Sequence, residues 1–220
     1  MKKYIINNLI IILLSLFLLL IFLVLFVDVR YDEVSNQNIG LYFLNQLFRI
    51  NEYNKTYDLY SDYFLYISLL FVGVVGIVGL GQLVKNKKWR FVDYRIKLFG
   101  LMLLIMTVIW IIFDKILIIN YRPIKIENEI ESSFPSTHLM VVTFVYLSIC
   151  SFIDLRDKSK SLKIAVLISI IITILITASY RILSGVHWFT DIIGGVLVGI
   201  LLFLIYIKLI IYVKLKKCKY

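Results

Sequence analysis

Residues 115–138 read K-I-L-I-I-N-Y-R-P-I-K-I-E-N-E-I-E-S-S-F-P-S-T-H, and residues 181–191 read R-I-L-S-G-V-H-W-F-T-D. Both histidines and both prolines of the chain fall in these two stretches. Three polar islands stand out within them: Lys115 to Pro123, Pro135 to His138, and Arg181 to Asp191. Almost everything on either side is apolar. Burying such groups in hydrocarbon is costly, so they must face one another or water. The stretches therefore predict a membrane-embedded bundle with a polar site near one of its faces.

The rest of the chain agrees. It is 61% apolar with a mean hydropathy of +0.92 over 220 residues, whereas soluble domains run nearer half apolar. The length accommodates one bundle over residues 1–220 and no separate soluble domain. The net charge of +10 does not indicate nucleic acid. The basic residues sit beside apolar runs, where they set topology and meet anionic headgroups. The abundance of Ile, Lys, Asn and Tyr is the residue usage of an AT-rich bacterial genome. Cys150 and Cys218 lie in an apolar run and a basic tail; neither a disulfide between them nor metal-ligand spacing is expected.

A helical span needs about 20 apolar residues. Six candidates run from about Leu9 to Val27, Tyr63 to Val84, Leu98 to Ile119, His138 to Ile153, Ile164 to Ser179 and Trp188 to Val213. The first follows Lys2 and Lys3 as a signal peptide would. Its apolar stretch is too long and no small-x-small cleavage site follows, so it reads as an uncleaved span. Between the first two lies a polar loop, 28–58, in which 39–50 fits a short interfacial helix or an irregular loop. Gly73, Gly76, Gly79 and Gly81 in the second span suit close helix packing, as do Gly194, Gly195 and Gly199 in the sixth.

Charge sets the expected orientation. Basic residues crowd the N-terminus, residues 85–97, residues 154–163 and the C-terminus. The loops at 28–58, 120–137 and 180–187 are mixed or acidic. The positive-inside rule puts the basic set and both termini in the cytoplasm and all three islands on the outer side.

Each island has chemistry and a plainer alternative. Lys115 can bind phosphate or merely snorkel to the headgroups. Arg122, fixed by Pro123, can hold phosphate oxygens bidentately. Ser136 and Thr137 open the fourth span, where free amides and the helix dipole suit an anion; Ser136 alone would read as an ordinary N-cap. His138 can donate a proton to a leaving group. His187 and Asp191, four apart, share a helical face. The carboxylate can fix the ring's tautomer and free its other nitrogen as a nucleophile, or the pair can simply satisfy itself. Glu127, Glu129 and Glu131 alternate along the intervening loop and read as a solvated face.

In this order and spacing the islands resemble the type-2 phosphatidic acid phosphatase superfamily, whose signature is K-x6-R-P, P-S-G-H and S-R-x5-H-x3-D. The resemblance covers Lys115 to Asp191. It implies an all-α transmembrane bundle and a metal-independent, cofactor-free phosphatase acting through a phosphohistidine. By the same resemblance His187 is the nucleophile, Asp191 its orienting carboxylate and His138 the general acid. Lys115, Arg122, Ser136, Thr137 and Arg181 then hold the phosphoryl oxygens. Two positions depart from the pattern: Thr137 replaces glycine, and Tyr180 replaces the serine before the arginine. Both bear on substrate preference and rate.

The expected substrate is a membrane lipid phosphate or pyrophosphate presented from the bilayer. Carrier-lipid (undecaprenyl) pyrophosphate, phosphatidic acid and phosphatidylglycerol phosphate are the candidates, the first favoured by an outward-facing site. Two other readings share the residues: a phosphoryl transferase of the same fold, and a transporter or lipid-binding membrane protein. Charges gathered near one end of the spans weigh against transport.

Overall fold

The computed structural model describes residues 2–124, 131–153 and 159–217. Cys218, Glu127 and Glu129, on which the sequence raised expectations, lie outside the described residues. Helix α1 (Lys2–Phe26) leads into a two-stranded antiparallel hairpin, β1 (Arg30–Asp32) and β2 (Gln37–Ile39), with Arg30 opposite Ile39. A short helix α2 (Tyr42–Leu47) follows, then α3 (Lys55–Asn86), α4 (Tyr94–Ile111), α5 (Thr137–Phe152), α6 (Lys160–Leu183) and α7 (Phe189–Lys217). Helix α4 ends in a π-helical turn, Ile112–Ile116.

The six expected spans correspond to α1, α3, α4, α5, α6 and α7. Five of these are long and apolar enough to cross a membrane; α5, with 16 residues, is the shorter one. At 1.5 Å per residue α5 reaches about 24 Å, short of a hydrocarbon core of about 30 Å. Its burial fits that length. Leu139, Met140, Val142, Thr143, Phe144, Val145 and Ser148 are all buried, so α5 is the central helix, clad by its neighbours.

Packing on α5 is closest along α7. A Cβ built on Gly195 would lie 2.5 Å from the Ser136 carbonyl oxygen, and one on Gly199 would lie 2.7 Å from the Thr143 Cβ. The G-x-x-x-G of α7 is thus a packing seam, as read. The glycines of α3 differ from expectation. Only Gly79 approaches a neighbour, Ile96 at 2.9 Å. Gly73, Gly76 and Gly81 open onto empty space because they lie on the outward face of the helix. Deeper in the bundle, Phe99, Phe144 and Tyr206 form a ring cluster with Phe71 and Phe152 at its edge. Tyr206 is anchored there by Ser151, 2.9 Å away.

Two of the span boundaries that move bear on the polar end of the bundle. Helix α3 begins at Lys55, about two turns before the apolar run, because Asn54 caps it by accepting from the Thr56 and Tyr57 amides at 3.0 and 3.2 Å. Helix α6 continues to Leu183, which places Arg181 in its last turn rather than in a loop. Gly185, at φ +77°, then reverses the chain into α7.

The hairpin and α2 fold down over this end of the bundle. The Gln37 side chain donates to the Tyr121 carbonyl at 3.0 Å and accepts from its amide at 2.8 Å. Asn45 accepts from the Thr190 amide at 3.1 Å. Arg49 pairs with buried Asp32 and lies 5.3 Å from the Trp188 ring centroid. The opposite end of the bundle carries an open cavity of about 1460 Å³, lined by basic Lys85, Arg90, Arg95, Lys163 and Lys214.

Candidate active site

Six of the eight sequence-nominated residues line one cavity of about 730 Å³ at the hairpin end: Lys115, Arg122, Thr137, His138, Arg181 and His187. They come from the π-turn after α4, the loop before α5, the first turn of α5, the last turn of α6 and the turn into α7. The remaining two lie just behind the wall. Asp191 is completely buried at the start of α7, and Ser136 is completely buried at the cap of α5. These two are joined to each other, the Ser136 amide donating to the Asp191 carbonyl at 3.0 Å. The Ser136 hydroxyl caps nothing and has no hydrogen-bond partner among the described residues.

His187 and Asp191 face each other, Nδ1 to Oδ2, at 3.4 Å. The same Oδ2 accepts the Trp188 amide at 2.9 Å, and Oδ1 accepts the Asn120 side chain at 3.3 Å. Trp188 is itself tied to the Tyr121 carbonyl through its indole N–H at 2.8 Å. Burial, reinforced by the nearby Arg181 and Arg122 charges, holds the His187 imidazole well below the usual histidine range. The ring is therefore neutral at physiological pH. With Asp191 ionised, its carboxylate would accept from Nδ1–H and leave the lone pair on Nε2.

Every cation of the cavity carries a carboxylate. Lys115 Nζ lies 2.9 Å from Asp114 Oδ2, with its side chain 73% exposed. Arg122 pairs with Glu131 at 2.5 Å. Glu131 stays exposed, as read, with its side chain 48% accessible, and it also pairs with a cavity arginine. Arg181, buried, pairs through Nη1 with Asp58 and also donates to Ser61 Oγ at 3.3 Å. His138 Nε2 stands 2.7 Å from Asp62 Oδ1.

Sequence reasoning passed over Asn120, Asp58, Ser61 and Asp62. Asp58 fell at the end of what was read as a loop, and Asp62 fell between that loop and the second span. Their signal was the i, i+4 spacing of two carboxylates at the head of an apolar helix. Tyr180 and Ser179 do not line the cavity. Tyr180 stacks on Tyr57 and Phe64 and tilts against Tyr60 of α3, while the Ser179 hydroxyl donates to the Leu175 carbonyl. Tyr180 thus serves the α3–α6 contact. Thr137 lines the cavity where the resemblance has glycine.

The fold and this site define a multi-pass membrane protein with a histidine-bearing, cation-walled cavity near one end of its bundle. The model described as PAP2 superfamily matches residues 105–214, half of the chain, and the chain belongs to that superfamily. Phosphatidylglycerophosphatase B of Bacillus subtilis (strain 168) is 32% identical over 137 residues, which span 59% of this chain and 63% of that relative, just under two thirds of its length. A solved structure described as the first transmembrane PAP2 type phosphatidylglycerolphosphate phosphatase from Bacillus subtilis superposes with a TM-score of 0.58 at 20% identity. It covers 90% of this chain and 93% of its own. At that identity the likeness concerns the fold.

Proposed function

We propose that this chain is an integral-membrane lipid phosphate phosphatase that works through a phosphohistidine, without a metal, on the extracytoplasmic face. The observation that carries the reading is the His187–Asp191 pair opening onto the same cavity as Lys115, Arg122 and Arg181. A neutral imidazole with its lone pair on Nε2 is a nucleophile. Three cations supply the charge that phosphoryl transfer needs on its equatorial oxygens. Their carboxylate partners keep them oriented in the resting site and yield to phosphate oxygens when substrate arrives.

The reaction has two steps. His187 Nε2 bonds to phosphorus as the bond to the leaving oxygen breaks, and His138 gives that oxygen a proton. Water then attacks the phosphohistidine, its proton passes to His138, and the N–P bond breaks to release phosphate and neutral His187. The relative's name turns the choice of lipid from the carrier pyrophosphate toward phosphatidylglycerol phosphate. A cavity opening at the end of the bundle supports a headgroup entering while its tails stay in the bilayer.

The deciding experiment is phosphate release by purified protein in mixed micelles. Phosphatidylglycerol phosphate, phosphatidic acid, a carrier-lipid pyrophosphate and glycerol phosphate are compared by kcat/KM, with and without EDTA. The expected result is preference for phosphatidylglycerol phosphate, unchanged by EDTA and inhibited by vanadate. Equal turnover of glycerol phosphate would remove the lipid from the reading, and loss of activity in EDTA would remove metal independence.

A further inference from the structure

Helix α3 places an aspartate on the second histidine of the site, outside every motif that marked the cavity. Asp62 Oδ1 lies 2.7 Å from His138 Nε2. The two residues are 76 apart in sequence and come from different helices. Asp62 sits in the second turn of α3, in the polar segment that precedes the apolar run, with its side chain only partly exposed. One turn earlier on the same face, Asp58 holds Arg181. This face of α3 thus carries two carboxylates, one on Arg181 and one on His138.

We propose that Asp62 is the positioning residue of His138, making the site a double dyad: Asp191 on the nucleophile and Asp62 on the acid–base. The inference rests on the phosphatase reading above. An ionised carboxylate accepts, so His138 Nε2–H donates to Asp62 in both charge states of the ring. Nδ1 is then the atom that exchanges protons. In the first step the Nδ1 proton moves to the leaving oxygen as the P–O bond breaks; in the second, Nδ1 takes the proton of the attacking water. Throughout, Asp62 fixes the tautomer and offsets the charge of the imidazolium form, the service a buried carboxylate gives a catalytic histidine elsewhere. Asp62 itself is not among the residues lining the cavity, so it acts through the ring rather than on phosphate.

A purely structural ion pair and a positioning residue differ in how they respond to the leaving group. The test uses two detergent-solubilised substrates with the same long alkyl tail. One is an alkyl phosphate, whose alkoxide needs a proton to leave; the other is an alkyl-substituted nitrophenyl phosphate, whose phenolate does not. For Asp62→Asn, kcat/KM on the alkyl phosphate is expected to fall about 100-fold, the scale of general acid catalysis. On the nitrophenyl ester it should stay within about threefold of wild type, which also certifies the fold. In a His138→Ala background the same substitution should cost nothing further. Equal loss on both substrates, no loss on either, or an additive loss in the His138→Ala background would each overturn the assignment. A wild-type protein inert on both esters, or a His187→Ala variant as active as wild type, would instead remove the phosphatase reading itself.

Discussion

The Asp191 carboxylate oxygen that faces His187 Nδ1 at 3.4 Å also accepts the Trp188 amide at 2.9 Å. The carboxylate is therefore fixed by backbone before it meets the ring. Its second oxygen is held by Asn120 at 3.3 Å. Such double anchoring makes Asp191 a rigid reference for the imidazole. His187→Ala is expected to abolish turnover. Asp191→Asn should cost about three to four orders of magnitude in kcat, because an amide can present the wrong hydrogen-bonding group to Nδ1. Asn120→Ala should cost less, on the order of tenfold, since the Trp188 amide still holds the carboxylate. Initial rates on a lipid phosphate, with thermal midpoints in detergent as the folding control, check all three.

The pH dependence of activity should follow from the burial of His187. Burial first, then Arg181 and Arg122, depress its proton affinity below that of a free imidazole, about 6.5. His187 is therefore expected to stay neutral as pH falls through 6.5. The acid limb of kcat/KM should lie clearly below that value. Linkage gives the matching sign for stability. The unfolded chain binds a proton at this histidine before the folded one does, so its contribution is complete above about pH 6.5 and is lost as pH falls through the folded value. His187→Ala should remove that part of the acid destabilisation. Rate–pH and melting–pH profiles of wild type and variant provide the measurement; an acid limb at or above pH 6.5 contradicts the expectation.

How much of this site was legible in the sequence depends on which force placed each residue. Six apolar runs, the three islands and their convergence could be read, because hydrocarbon leaves polar groups few places to go. Helix α5 was legible as a span but not as the buried centre of the bundle, since lipid and protein interior are equally apolar. The start of α3 was not legible by hydropathy. Residues 55–62 are polar and tyrosine-rich, and they are helical because Asn54 caps them and because Asp58 finds Arg181 and Asp62 finds His138 across the cavity. Those partners are distant in sequence, and only the packed bundle brings them together. The same holds for Glu131, whose role on Arg122 is invisible until the loop closes.

The glycines of α7 and α3 should respond oppositely to a methyl group. At Gly195 a Cβ would fall 2.5 Å from the Ser136 carbonyl oxygen and 3.0 Å from the Leu139 Cβ, both on the central helix. Neither backbone can yield without separating α5 from α7, and that seam joins the Ser136 amide to the Asp191 carbonyl. Gly195→Ala should therefore destabilise by about 1–3 kcal/mol, the usual cost of overpacking, and lower activity with it. At Gly76 a Cβ meets nothing within 4 Å. Gly76→Ala should be neutral or stabilise by up to about 1 kcal/mol through helix propensity. Thermal midpoints of the two variants in one detergent decide the matter, and similar losses at both positions would contradict the packing described for α7.

The sidedness of the site can be tested on residues at opposite ends of the bundle. Glu33 lies exposed in the hairpin that covers the catalytic end, and Lys87 lies exposed beyond α3 at the basic end. Lys85, Arg95, Lys163 and Lys214 line the cavity at that basic end. The positive-inside rule predicts that this end faces the cytoplasm and the hairpin faces outward. With Cys150 and Cys218 replaced, a cysteine at position 33 should react with a membrane-impermeant maleimide added to intact cells. One at position 87 should react only after permeabilisation. Both positions are solvent-accessible, so a difference in labelling reports the membrane barrier rather than burial. The reverse pattern would put the cavity of His138 and His187 on the cytoplasmic side, and the proposed lipid substrate would then have to be sought in the inner leaflet.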